Sequence, residues 1–342
     1  MDDDTVLRAS RKDAHLARHV QGRDAWNIWT KSMLASKSQL EQAGLWAPLG
    51  DPPFMSSEGE SGENKYGEMR IAWLAVTCAD FTGQSFHHGT DFSGFDFPSH
   101  AYFICNFGGE VSFEGARFRG DAQFDKVQFP GEARFGRAQF SGRALFGGAK
   151  FFEAQFELAR FYGDTQFGKA QFNGTALFGE AQFHGDAWFG EAVFSRDAQF
   201  DGGRFHRDWC FDGARFMGDA RFDEAQGDDG AQVGPAQLSG NAWFRDTLFR
   251  ETARFRRRQF SGDALFTDAN FEGATYFDDA EFAQATGFGA IRAERAFSLA
   301  GAKFRQVPDF IQANFAEAPR LDDITMPGQG GIVRSIFRAD VE

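Results

Sequence analysis

Cysteine is scarce, with only three thiols, Cys78, Cys105 and Cys210, in 342 residues. They are odd in number and far apart, which excludes a disulfide framework and a paired CxxC zinc site. Reduced thiols in a cytoplasmic protein are expected. Long apolar runs are also missing. None approaches the roughly 18 to 20 residues that cross a bilayer, and the opening MDDDTVLRAS has no basic stretch followed by an apolar one. No association with membrane is therefore expected. Positive charge is in deficit, 36 Lys and Arg against 49 Asp and Glu for a net charge of −13. Phosphate recognition draws on clustered Lys and Arg, so direct nucleic-acid binding is not expected. There is no nucleophile elbow, phosphate loop, HExxH pair or dinucleotide fingerprint. Accordingly no catalytic residue, cofactor or metal ligand is assigned, and an enzyme is not expected.

What is present is phenylalanine, 44 residues of it, with 40 Gly and only 4 Tyr. In FNGTALFGEAQFHGDAWFGEAVF, residues 172–194, Phe stands at 172, 178, 183, 189 and 194, in alternating steps of six and five. The same count runs from Phe81 to Leu321, with Tyr102, Gly227, Val233, Leu238, Ala293, Leu299 and Leu321 in place of Phe, and slips only near 97–107 and 151–156. Two residues before most of these sites is a small residue, usually Ala, as in Ala181 before Phe183. An extended A-x-F triplet points Ala and Phe to one side and the middle residue to the other. The residues between triplets turn the chain, and Gly recurs there where positive φ is expected.

Such spacing scatters Phe around a helix, so a helix is excluded as the main element. A chain that turns the same way after each short strand winds into a solenoid. Three sides would lay five-residue sides on six-residue sides, whereas four sides, 5+6+5+6, put every long corner on a long corner. A flattened two-sided roll also keeps like on like but leaves little room for inward Phe from facing strands. At roughly 4.8 Å per coil, about eleven coils make a rod about 50 Å long.

The repeating small residue two before a central Phe or Leu resembles the bacterial pentapeptide-repeat family, most closely in CADFTGQSFHHGTDFSGFDF, residues 78–97. The resemblance implies an all-β solenoid, a right-handed quadrilateral β-helix. It departs from the family in its six-residue units and in Gln or Arg before the central residue, as at Gln182 and Arg215. Some members of that family mimic DNA and occupy the DNA-binding saddle of type II topoisomerases. The resemblance therefore implies DNA gyrase or topoisomerase IV as an alternative partner. The leading expectation is a non-enzymatic scaffold or protein-protein interaction module whose protein partner is not identified.

Four regions are expected: a helical cap or docking segment at 1–49, a flexible linker and lead-in at 50–75, the β-helix at 76–321 and a mobile tail at 322–342. In the first, Trp26, Trp29, Met33 and Leu40 fall on one helical stripe. The segment serves either as an end cap or, through Trp26 and Trp29, as a docking helix. Gly227 in a Phe position predicts a thinned core nearby. His184 and His206 stack on one edge in the four-sided register and read as an exposed ladder, while His15 and His19 read as a solvated helix face. Arg254, Arg256, Arg257 and Arg258 are assigned to local acids such as Glu251. The candidate interaction surface is acidic: Asp164, Asp186 and Asp208 share one long corner, and Asp197 and Asp219 the opposite one. Residues 76–240 carry 14 Lys and Arg against 23 Asp and Glu, so the acidic excess lies in the first two thirds of the rod.

Overall fold

The computed structural model describes residues 3–46, 65–228, 231–232 and 237–327. The linker at 50–64, Val233 and the tail from 328 lie outside the described residues. From Ala79 the chain is a succession of very short parallel strands, most of two residues. The triplets account for them. In Ala181–Gln182–Phe183 the outer two residues are fully buried and Gln182 faces outward. Gln182 and Phe183 pair in register with Arg160 and Phe161 on one side and with Arg204 and Phe205 on the other.

Four columns of stacked rings fill the rod, which settles the number of sides. One column runs Phe97, Phe118, Phe140, Phe161, Phe183, Phe205, with centroids 4.7 to 4.9 Å apart and planes within 8°. Rings of neighbouring columns meet edge to face, as Phe135 does with Phe146 at 5.3 Å and 85°. Two faces are eleven-stranded sheets. Each buried Phe contributes roughly 1.5–3 kcal/mol relative to exposure, so the columns supply the stability of the fold. The winding also passes Leu321, because Thr325 still bridges Lys303 and Met326 is buried.

The structure corrects the count in one place, the expected thinning at Gly227 in a second and the role of Gly in a third. At the first slip the inward residue is Phe103, stacked 5.0 Å from Phe81 and 4.9 Å from Phe124, and Tyr102 faces out. The core is not thinned at Gly227. Trp209, where other coils place Ala187 and Ala231, is fully buried and lies 4.4 Å from Phe205 and 5.9 Å from Phe249, near parallel to both. Its indole completes the column that Gly227 leaves open. Phe297 does the same beside Ala293, contacting Phe271 at 5.8 Å and Phe315 at 5.2 Å.

At the five-residue corners the positive-φ residue is often not Gly: Leu158 (φ 60), Lys169 (φ 60), Glu180 (φ 54) and Glu191 (φ 57) occupy it. At the six-residue corners Gly answers crowding instead. A Cβ on Gly163 would lie 2.5 Å from the carbonyl oxygen of Gly142, and one on Gly185 2.5 Å from the carbonyl carbon of Gly163.

The N-terminal segment is two helices, α1 (Asp3–Val20) and α2 (Arg23–Gln42), separated at Gly22 with φ 91. A third, α3 (Lys65–Thr77), falls in the stretch expected to be a lead-in. Helices α1 and α2 lie over the first coil. Trp26 is fully buried among Phe81, Phe95 and Phe97. His15 and His19, expected on a solvated face, are turned inward. His15 is 2% exposed between Trp26 and Trp29, and the His19 ring lies 4.4 Å from Phe92. The spacing i, i+4 places the two histidines on one face, and that face meets the apolar end of the rod.

Candidate functional site

A solenoid's first strand exposes unpaired backbone groups that invite another strand. Here α2 covers them. The Asn27 side chain accepts the Asp96 N–H at 2.9 Å and donates to the Gly94 carbonyl at 2.9 Å, as a neighbouring strand would. Trp26 Nε1 and Thr30 Oγ1 donate to the Asp96 carbonyl at 2.9 and 2.5 Å. The docking role for Trp26 is therefore corrected, because it has no exposed surface and anchors the cap. Trp29 is half-buried against the core, with the Arg18 guanidinium 4.2 Å over its ring. Asn27 and Thr30 escaped sequence reasoning, although they adjoin Trp26 and Trp29.

The five acidic candidates form the two corner ladders expected, and each ladder has a structural use. A six-residue corner leaves a backbone N–H without a strand partner, and the carboxylate one coil below accepts it. Asp186 N–H donates to Asp164 at 3.1 Å and Asp219 N–H to Asp197 at 3.0 Å. Above Asp219 the ladder continues through an amide: Asn241 N–H donates to Asp219 at 2.9 Å, and the Asn241 side chain accepts Asp263 N–H at 2.9 Å. A third ladder, unread in the sequence, runs from Asp201 through Asp223 to Arg245 on a five-residue corner. Burial, then repulsion from Asp164 and Asp208, holds the Asp186 carboxyl above its ordinary value.

The ring ladder is present too. Tyr162, His184 and His206 stack at 4.9 and 4.6 Å with planes within 9°. His206 Nδ1 is 2.6 Å from Asp228 Oδ2. Burial, with help from His206 and Arg160, lowers the His184 pKa. Among the described residues no group of three His, Cys, Asp or Glu is placed to hold a metal.

One sheet carries a row of outward arginines. Arg117, Arg160 and Arg204 point out of one sheet on alternate strands, with Gln139 and Gln182 between. All three are exposed. Arg119 pairs with Asp96 at 2.7 Å and Arg143 with Asp121 at 2.9 Å, but these three enter no ion pair among the described residues. Two members of the later arginine run pair with acids other than Glu251. Arg256 pairs with Asp278 at 2.7 Å and Arg257 with Asp279 at 3.7 Å, both one coil on. Arg258 is buried where other coils place Ala214 and Ala280, and burial pulls its pKa down to about 10.

Burial pushes the Cys105 thiol up to about 12 and the Cys210 thiol up to about 11, so both remain protonated at neutral pH. No helix among the described residues is long and apolar enough to cross a membrane.

No curated protein matches the chain. A family model described as pentapeptide repeats, nine copies to the model, matches residues 105–150, 146–193, 156–204 and 178–226. Those matches fall on the coils whose Phe columns, triplet strands and corners are described above, and this stretch, residues 105–226, belongs to the pentapeptide-repeat family.

Proposed function

We propose that this chain is a non-enzymatic interaction scaffold that holds a protein partner along one face of its rod. The observation that carries the reading is a row of outward arginines beside a carboxylate corner. One sheet presents Arg117, Arg160 and Arg204 free of ion pairs at two-strand intervals, and the corner beside it carries carboxylates. The interior is closely packed by rings, so the surface that can meet a partner faces outward. The buried, protonated Cys105 and Cys210 are poor nucleophiles, in keeping with a non-catalytic role.

Occupation of the DNA site of DNA gyrase or topoisomerase IV is not adopted. The corner carboxylates that would stand for phosphates already accept backbone N–H groups from the next coil, and that use accounts for their placement. The test is affinity capture from the native cell extract on the full chain, wild type beside a variant with Arg117, Arg160 and Arg204 all changed to Gln. A protein retained by the wild type and lost from the variant is expected. Identical retained sets would overturn the reading.

A further inference from the structure

The corner next to the arginine face carries a strip with a fixed order. Across one coil it reads Arg160, Tyr162, Asp164, and two coils on it reads Arg204, His206, Asp208. His184 lies between the two rings and stacks on both. A line of rings is thus flanked by cations on one side and carboxylates on the other. Tyr162 is 46% exposed. Arg160, Arg204, Asp164 and Asp208 enter no ion pair among the described residues, although each Arg shares its coil with an Asp.

We propose that this strip is the contact of a side-by-side dimer of two copies of the chain, related by a two-fold axis that runs along the ring ladder. The inference rests on the reading of this face as a binding surface and names its occupant. A half-turn about an axis parallel to the rod keeps every coil at its own height and exchanges left for right. Arg160 of each copy then stands level with Asp164 of the other, and Arg204 with Asp208. The ring ladders meet on the axis. A second copy has the right charges at the right heights, since its carboxylates recur with the same strand spacing of about 4.8 Å. The contact is self-complementary and closes at two copies, so it does not propagate into a filament. The opposite acidic corner has no such strip, because Ser195 and Met217 precede Asp197 and Asp219 where rings stand here. Surface ion pairs are individually weak and screened by salt, so the dimer is expected to be reversible.

Sedimentation velocity on the full chain from about 1 μM to about 1 mM tests this. A shift from monomer to dimer is expected at low salt, reversed at about 1 M salt. Arg160→Asp with Arg204→Asp, and separately Asp164→Arg with Asp208→Arg, should each weaken self-association at least tenfold. Their equimolar mixture should recover a heterodimer, because every reversed charge then meets its opposite. Arg is native to this corner at Arg143, one coil below Asp164. If a reversed variant fails to fold, Arg160→Gln with Arg204→Gln and Asp164→Asn with Asp208→Asn supply the same loss without the mixing test. A wild type that stays monomeric throughout, or a dimer that both variants retain as an end-to-end contact would, overturns the proposal. Either result leaves the capture of a different protein standing or falling by itself.

Discussion

Replacing Trp209 by Ala asks whether one side chain carries a core column past Gly227. The indole is fully buried, 4.4 Å from Phe205 and 5.9 Å from Phe249, at 19° to both. Losing a buried aromatic of this size costs about 3–5 kcal/mol. Gly227→Phe in the native background is also harmful. A Cβ at 227 would lie 3.1 Å from Trp209 Nε1, so the added ring has no room, and overpacking costs about 1–3 kcal/mol. Together the two changes restore Ala at 209, in line with Ala187 and Ala231, and Phe at 227 between Phe205 and Phe249. The double variant is expected within about 2 kcal/mol of wild type, against about 4–8 kcal/mol if the single effects added. Long repeat arrays can unfold in segments, so native-state hydrogen exchange at residues 203–227 is read beside thermal unfolding. A double variant as unstable as the sum of the singles would refute the reasoning.

The corner ladders predict that Asp219→Asn is neutral or slightly stabilising, since Asn241 already makes the same bond one coil above. Asp219→Ala, which leaves the Asn241 N–H without its acceptor, should cost about 1 kcal/mol. Equal effects of the two in denaturant unfolding would show that the bond carries no weight. Leu158→Gly relieves a side chain at φ 60 and should stabilise by about 1 kcal/mol. A loss of stability on calorimetry would mean that Leu158 packing outweighs its backbone strain. His19 is held below the ordinary histidine value, chiefly by burial, with Asp91 opposing. The folded state therefore binds fewer protons than the unfolded state between the two pKa values, and stability rises with pH there. The contribution of His19 is fully present above about pH 6.5 and is lost as pH falls from there through the folded value. Protection factors at residues 79–97, which are free of the intrinsic slowing of exchange at lower pH, should fall on acidification, and less so in His19→Phe. A His19→Phe protein with the wild-type pH slope contradicts this.

The columns, the four sides and the acidic corners were legible because each is a local count that repeats. What escaped depends on pairs distant in sequence. Gly227 reads as a hole when taken alone, and only the winding brings Trp209 beneath it. Phe103 was missed by following the step length, although Ala101–Tyr102–Phe103 is a standard triplet. The inward turn of His15 and His19 follows from an apolar rod end that no helical stripe announces. Asn27 answers an exposed strand edge that exists only once the first coil is closed. The ladder of Asp164, Asp186 and Asp208 was visible as charge, but its hydrogen bonds became apparent only from the corner N–H that the strands leave unpaired.

Alternating five- and six-residue sides close the four-sided coil. Deletion of residues 162–183 tests this most directly. That segment is one coil, the 22-residue interval that separates Asp164 from Asp186, and its loss lets Phe205 stack on Phe161. The shortened chain should keep its far-ultraviolet circular dichroism and unfold near the wild-type temperature, with scattering showing a rod about 4.8 Å shorter. Deletion of the five residues 168–172 instead lays short sides on long sides in every later coil, and the folded rod should be lost. Equal tolerance of both deletions would contradict the account.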